Sequence, residues 1–90
     1  MPVDLEEMKK YLRVDFNDDD VLIENFITTG QTLCADIARL TMDEFSKKPT
    51  ARIAVMYAVA YLYEHRENAD YKELALSLRA MLFGIRKEGF

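Results

Sequence analysis

The run Ile53-Ala54-Val55-Met56-Tyr57-Ala58-Val59-Ala60-Tyr61-Leu62-Tyr63, closed by Glu64-His65-Arg66-Glu67, constrains this chain more than any other stretch. Wound at about 3.6 residues per turn, it shows no polar stripe before Glu64. A helix that is apolar all round needs walls on every side, and a chain of 90 residues has few to offer. Either the other helices wrap it completely, or a second copy of the chain supplies part of the wall. The run is also too short for a membrane span, which needs about 20 apolar residues.

Size sharpens that choice. Residues 1–90 make one domain, and a domain this small buries only about 60–65% of the surface its unfolded chain exposes. Oligomerisation is a common remedy for so thin a margin. With 50% apolar and 31% charged residues, the composition is that of a folded protein rather than a disordered one. The formal net charge of −4 disfavours sequence-reading of nucleic acid, because an acidic surface repels phosphates. It is compatible with a surface past which DNA slides without sticking. Cys34 is the only cysteine, so no intramolecular disulfide can form. Met1–Glu7 has neither the basic region nor the apolar core of a signal peptide, and a cytoplasm-like compartment is expected.

Gly occurs three times, Pro twice, and no strand-like alternation persists, so the chain reads as all-α. The spacing predicts a first helix over Leu5–Leu12, capped by Asp4, with Glu7 at capping-box distance. Its apolar stripe is Leu5, Met8, Leu12 and Tyr11. Asp18 or Asp19 is expected to cap a second, longer helix through Ala38. There Leu22, Ile23, Phe26, Ile27, Gly30, Leu33, Cys34 and Ile37 recur at helical spacing. Gly30, on that apolar face, predicts a close approach by another backbone. Thr41 and Glu44 predict one capped turn over Met42–Phe45. Pro49 suits the first turn of a third helix reaching about Glu67. Asp70 is placed to cap a fourth, Tyr71–Phe83, with Leu74, Ala75, Leu78, Met81 and Leu82 inward. Gly84 fits the left-handed position after its end. Ile85–Phe90 is a tail with two large apolar residues and is expected to dock. The expected fold is a small bundle of about four helices, the two longer central ones antiparallel.

No constellation in the chain supports catalysis, a metal or a cofactor. His65 is the only histidine, and a solvated helix end explains it better than a catalytic base. One His and one Cys far apart lack metal-site spacing. Asp15, Asp18, Asp19 and Asp20 suggest calcium, but the glycine of a calcium loop is missing and helix capping accounts for them. No glycine-rich phosphate loop is present. Tyr57, Tyr61 and Tyr63 read as core or interface residues rather than an aromatic ligand box. Buried tyrosine hydroxyls want partners, which Glu64, Arg66, Glu67 or a neighbouring subunit are near enough to provide.

Three blocks, in order, carry a resemblance. The first is Leu5–Asp15 followed by Asp18-Asp19-Asp20-Val21-Leu22-Ile23. The second is Ile53-Ala54-Val55 running to Tyr63-Glu64-His65-Arg66-Glu67. The third is Leu78-Arg79-Ala80-Met81-Leu82-Phe83-Gly84-Ile85-Arg86. Together they resemble the head–tail connector (neck or adaptor) proteins of long-tailed bacteriophages and prophages, a family associated with DNA packaging. The connection from Leu40 to Pro49 is shorter than the extended excursion some relatives carry, and Phe83-Gly84 stands where a proline is common.

The resemblance implies a structural, non-enzymatic role in the virion neck, after assembly in the bacterial cytoplasm. It implies a homo-oligomeric ring that meets the portal protein and a downstream neck or tail-completion protein, with DNA as a non-specific passenger and no membrane. Interface residues are then expected at Tyr63, Glu64 and Arg66, which close the third helix, and at Arg86 and Phe90, which dock the tail on a neighbour or on the portal. An intrasubunit salt bridge is the competing role for Arg66. The alternative function is a small helical regulator that binds protein or DNA. Its second and third helices would imitate a helix-turn-helix, against which the acidic charge and the lack of a basic recognition helix argue.

Overall fold

The computed structural model describes residues 3–84. Its elements are α1 (Leu5–Leu12), α2 (Asp20–Ala38), α3 (Met42–Ser46), α4 (Pro49–Glu64) and α5 (Tyr71–Leu82). The expected all-α bundle is what forms, with the short capped turn as α3 and the expected third and fourth helices as α4 and α5. Arg86, Phe90 and the tail Ile85–Phe90 lie outside the described residues.

The centre is the seam between α2 and α4. Gly30 permits it: a Cβ there would stand 3.3 Å from the Ala58 Cβ and 3.5 Å from Val59 Cγ2. On α4 the approach is made by Ala58, fully buried like Ala51 and Ala54, and by the Val55 carbonyl, 3.8 Å from the same point. The pairing is antiparallel, since the end of α4 meets the start of α2: the Tyr63 hydroxyl donates to Asp19 Oδ2 at 2.7 Å. Around the seam, Ile23, Ile27 and Cys34 of α2 and Val55, Val59 and Leu62 of α4 join Leu74, Leu78 and Leu82 of α5. Met8 seals the core from α1 and Phe45 from α3. The Cys34 thiol is pushed up to about 12 by its burial. Gln31 is the one polar residue in this core, and its Oε1 finds no hydrogen-bond partner.

Several helix ends depart from the expectation. The Asp4 carboxylate does cap α1, accepting from the Glu7 amide at 2.9 Å, but Glu7 does not reach back. Its carboxylate pairs with Arg52 on α4 instead. Asp19 is the residue before α2, yet its side chain does not cap the helix. Its backbone is not extended (φ −102°, ψ 10°) and its carboxylate is taken by Tyr63. Asp20 pairs with Lys9 at 2.8 Å, joining α2 to α1. The reciprocal capping box at Thr41 and Glu44 is present as expected.

α4 stops at Glu64, three residues before the expected Glu67, because side chains take its last carbonyls. Arg66 donates to the Tyr63 carbonyl, and His65 Nδ1 lies 2.9 Å from the Tyr61 carbonyl. Left-handed backbone appears at Arg13 (φ 61°) and Arg39 (φ 58°), not at Gly84, and no described glycine has positive φ. In each case the next residue, Val14 or Leu40, bonds back to a carbonyl of the last turn, at 2.9 Å to Lys9 and 3.1 Å to Ala35. This closes a Schellman end, whose paired bonds and apolar contact offset the roughly 1 kcal/mol of left-handed strain. After Leu82 the backbone stays right-handed through Phe83, so Gly84 has no left-handed turn to make.

Candidate functional site

The described surface offers a polar knot at the end of α4 and two apolar rows. In the knot, Arg66 lies over the Tyr63 ring, 4.6 Å from its centroid, while holding the Tyr63 carbonyl. The competing salt-bridge role for Arg66 does not occur: no carboxylate meets it among the described residues. The Asp19 carboxylate, accepting from the Tyr63 hydroxyl, raises the pKa of that hydroxyl. Desolvation and the charge of Asp19 add to the rise, and Arg66 opposes it. Tyr61 stacks on His65 with ring centroids 4.2 Å apart. Its hydroxyl donates to the Asp70 carbonyl at 3.2 Å and accepts from the Asp70 amide at 3.1 Å. The tyrosine partners are thus Asp19 and Asp70, not Glu64, Glu67 or Arg66. Asp19 lies 44 positions from Tyr63, beyond the reach of local spacing, whereas Asp70 lies nine beyond Tyr61, across the turn that follows α4. Glu64 is exposed at the rim of the knot.

The first apolar row answers the question of the missing walls. The four helices do not wrap α4 completely. Ile53 is 62% exposed, and Tyr57 and Ala60 follow it at i+4 and i+7 on the same outward face, which ends at Glu64. Tyr11 of α1, expected in a buried stripe, is 53% exposed instead. It joins Tyr57, Ala60 and Glu64 around a shallow groove of about 320 Å³. The second row lies on the outside of α5. Leu76 and Phe83 are 57% and 77% exposed and two turns apart, with Lys72 and Arg79 on the same face. Of the expected site residues, Tyr63 and Arg66 meet in the knot and Glu64 stands exposed beside it; Tyr57 was read as core or interface, and Tyr11, Ile53, Leu76 and Phe83 were not expected on the surface. A signal for the orientation of α4 existed. Small residues at 51, 54 and 58 mark its inward face, and Ile53 and Tyr57 lie opposite.

Among the described residues, no three His, Cys, Asp or Glu side chains come together as a metal site. No described helix is long and apolar enough to cross a membrane. An all-helical subunit that turns rows of apolar side chains outward is suited to contact with other protein surfaces. Sequence comparison places the chain: it matches the family of phage gp6-like head-tail connector proteins over residues 2–88, and it belongs to that family. The family role is structural, at the junction of phage head and tail, in association with other head and tail proteins. No curated protein and no solved structure matches the chain.

Proposed function

We propose that this chain is a connector subunit of the virion neck. It oligomerises into a ring between the portal and a downstream neck or tail-completion protein, and DNA passes through that ring during packaging and ejection. The observation that carries this reading is the family match across residues 2–88, nearly the whole chain. The outward apolar rows support it, since a subunit of an assembly needs surfaces to cover. The charge of −4 suits a conduit, because a weakly repelling wall does not retain DNA. Tyr63 and Arg66 shape the end of α4, Glu64 contributes to the contact, and Arg86 and Phe90 extend it to a neighbour or to the portal. The regulator alternative gains no support: α2 carries no Lys or Arg, and Arg52, the one cation on α4, pairs with Glu7.

Mixing the purified chain with purified portal protein of the same phage tests the reading. The expected result is a stable complex holding many copies of the chain per portal, with an open channel in class-averaged electron micrographs. A chain that stays monomeric at rising concentration and ignores the portal would sink it.

A further inference from the structure

The two apolar rows differ in the charges around them. The α4 row of Ile53, Tyr57 and Ala60 is bordered by Glu64 and Glu73, the latter reaching the same groove from the start of α5. Neither carboxylate forms an ion pair among the described residues, whereas Glu7, the acid nearer Arg52, is already neutralised. The α5 row of Leu76 and Phe83 is bordered by Lys72 and Arg79, which also form no ion pair among the described residues, and by Glu73 on the edge it shares with the α4 groove. An α4 row set against its own copy would oppose the Glu64 carboxylates, and an α5 row against its own copy would oppose the Arg79 cations. The unlike pairing lays apolar on apolar and sets Lys72 and Arg79 against Glu64 and Glu73.

We propose that the outer face of α5 in one copy docks on the outer face of α4 in a second copy, with Arg79 and Lys72 meeting Glu64 and Glu73. Such a contact is heterologous. Each copy keeps one free α4 face and one free α5 face, so the contact propagates and, at a suitable rotation, closes on itself. The proposal deepens the ring reading above and rests on it for the identity of the partner as a second copy of this chain. Two features of the molecule favour that partner: the charges are complementary, and the faces belong to different helices of one rigid subunit.

Disulfide trapping tests the pairing. Full-length Tyr57→Cys and Leu76→Cys variants, each verified as folded by circular dichroism, are mixed and oxidised mildly. The native thiol of Cys34 is buried and does not compete. The mixed 57–76 crosslink is expected to exceed either like-with-like crosslink by at least tenfold. Equal or greater like-with-like yield, or no crosslink at millimolar protein, overturns the proposal. As a second measurement, Arg79→Glu is expected to weaken self-association at least tenfold. Mixing it with Glu64→Arg should restore heterotypic association, and failure of that rescue also counts against the pairing. Capture of the chain by portal protein separates the two readings. Capture without the 57–76 crosslink removes this face assignment and leaves the connector role standing. The crosslink without capture supports the pairing and removes the connector role.

Discussion

The inward and outward faces of α4 are nearly equal in hydrophobicity and opposite in fate. Inward, Ala51, Ala54, Val55, Ala58, Val59 and Leu62 are buried against α2 and α5. Outward, Ile53 and Tyr57 stand in solvent although each is larger than the alanines opposite them. The three alanines are on the inward face, where α2 approaches closely, while Ile53 and Tyr57 are left on a side that α1 and α5 border without covering. The molecule is a slab with extents of 44 × 27 × 16 Å, too thin to cover a helix on both sides. The apolar outward row is thus a surface that this subunit cannot cover alone.

Substitutions can break this contrast at graded strength. Leu62→Ala opens a cavity on the inward face and is expected to cost about 3 kcal/mol of unfolding free energy, read from urea or guanidinium titration. A loss below about 1 kcal/mol would mean that the seam is not the core. Tyr63→Phe removes the hydroxyl that ties α4 to Asp19, with an expected loss of about 1 kcal/mol. The same bond carries a pH signature. The folded-state pKa of Tyr63 is raised above its unfolded value, so its contribution is complete below about pH 10 and is lost as pH rises through the folded pKa. Wild-type stability should therefore fall more steeply in that alkaline range than that of Tyr63→Phe, and parallel curves would refute the assignment. Ile53→Ala, on the outward face, should change monomer stability by no more than about 0.5 kcal/mol. Sedimentation should show self-association weakened by this variant and unaffected by a polar substitution at the exposed Thr28.

What was legible in the sequence follows the range of the interactions. α1 appears with the expected bounds because Asp4, four residues from Met8, acts locally. The turn at Met42 appears for the same reason, Thr41 and Glu44 being three apart. The end of α4 was misplaced because Glu64-His65-Arg66-Glu67 has ordinary helix propensity. What stops the helix is the Arg66 side chain folding back on the Tyr63 carbonyl, which propensity does not encode. Asp19 looked like a cap and serves instead a tyrosine 44 positions away. Arg13 and Arg39 take left-handed ends without a glycine, because the Schellman bonds outweigh the strain there, while Gly84 takes none because the backbone stays right-handed through Phe83. At the end of α4, the sequence pattern placed Tyr63 and Arg66 side by side, though not the ring and carbonyl contacts between them. The apolar rows of the candidate site were not legible, since an all-apolar run carries no polarity from which to read its outward side.

The Tyr61 hydroxyl occupies both the amide and the carbonyl of Asp70, so the chain between α4 and α5 cannot hinge there without losing both bonds together. The two bonds tie the start of α5 to the last turn of α4. In the proposed head-to-tail pairing through the outer faces of α4 and α5, the angle between them would be the curvature of the assembly, and the Tyr61 hydroxyl one of the groups that sets it.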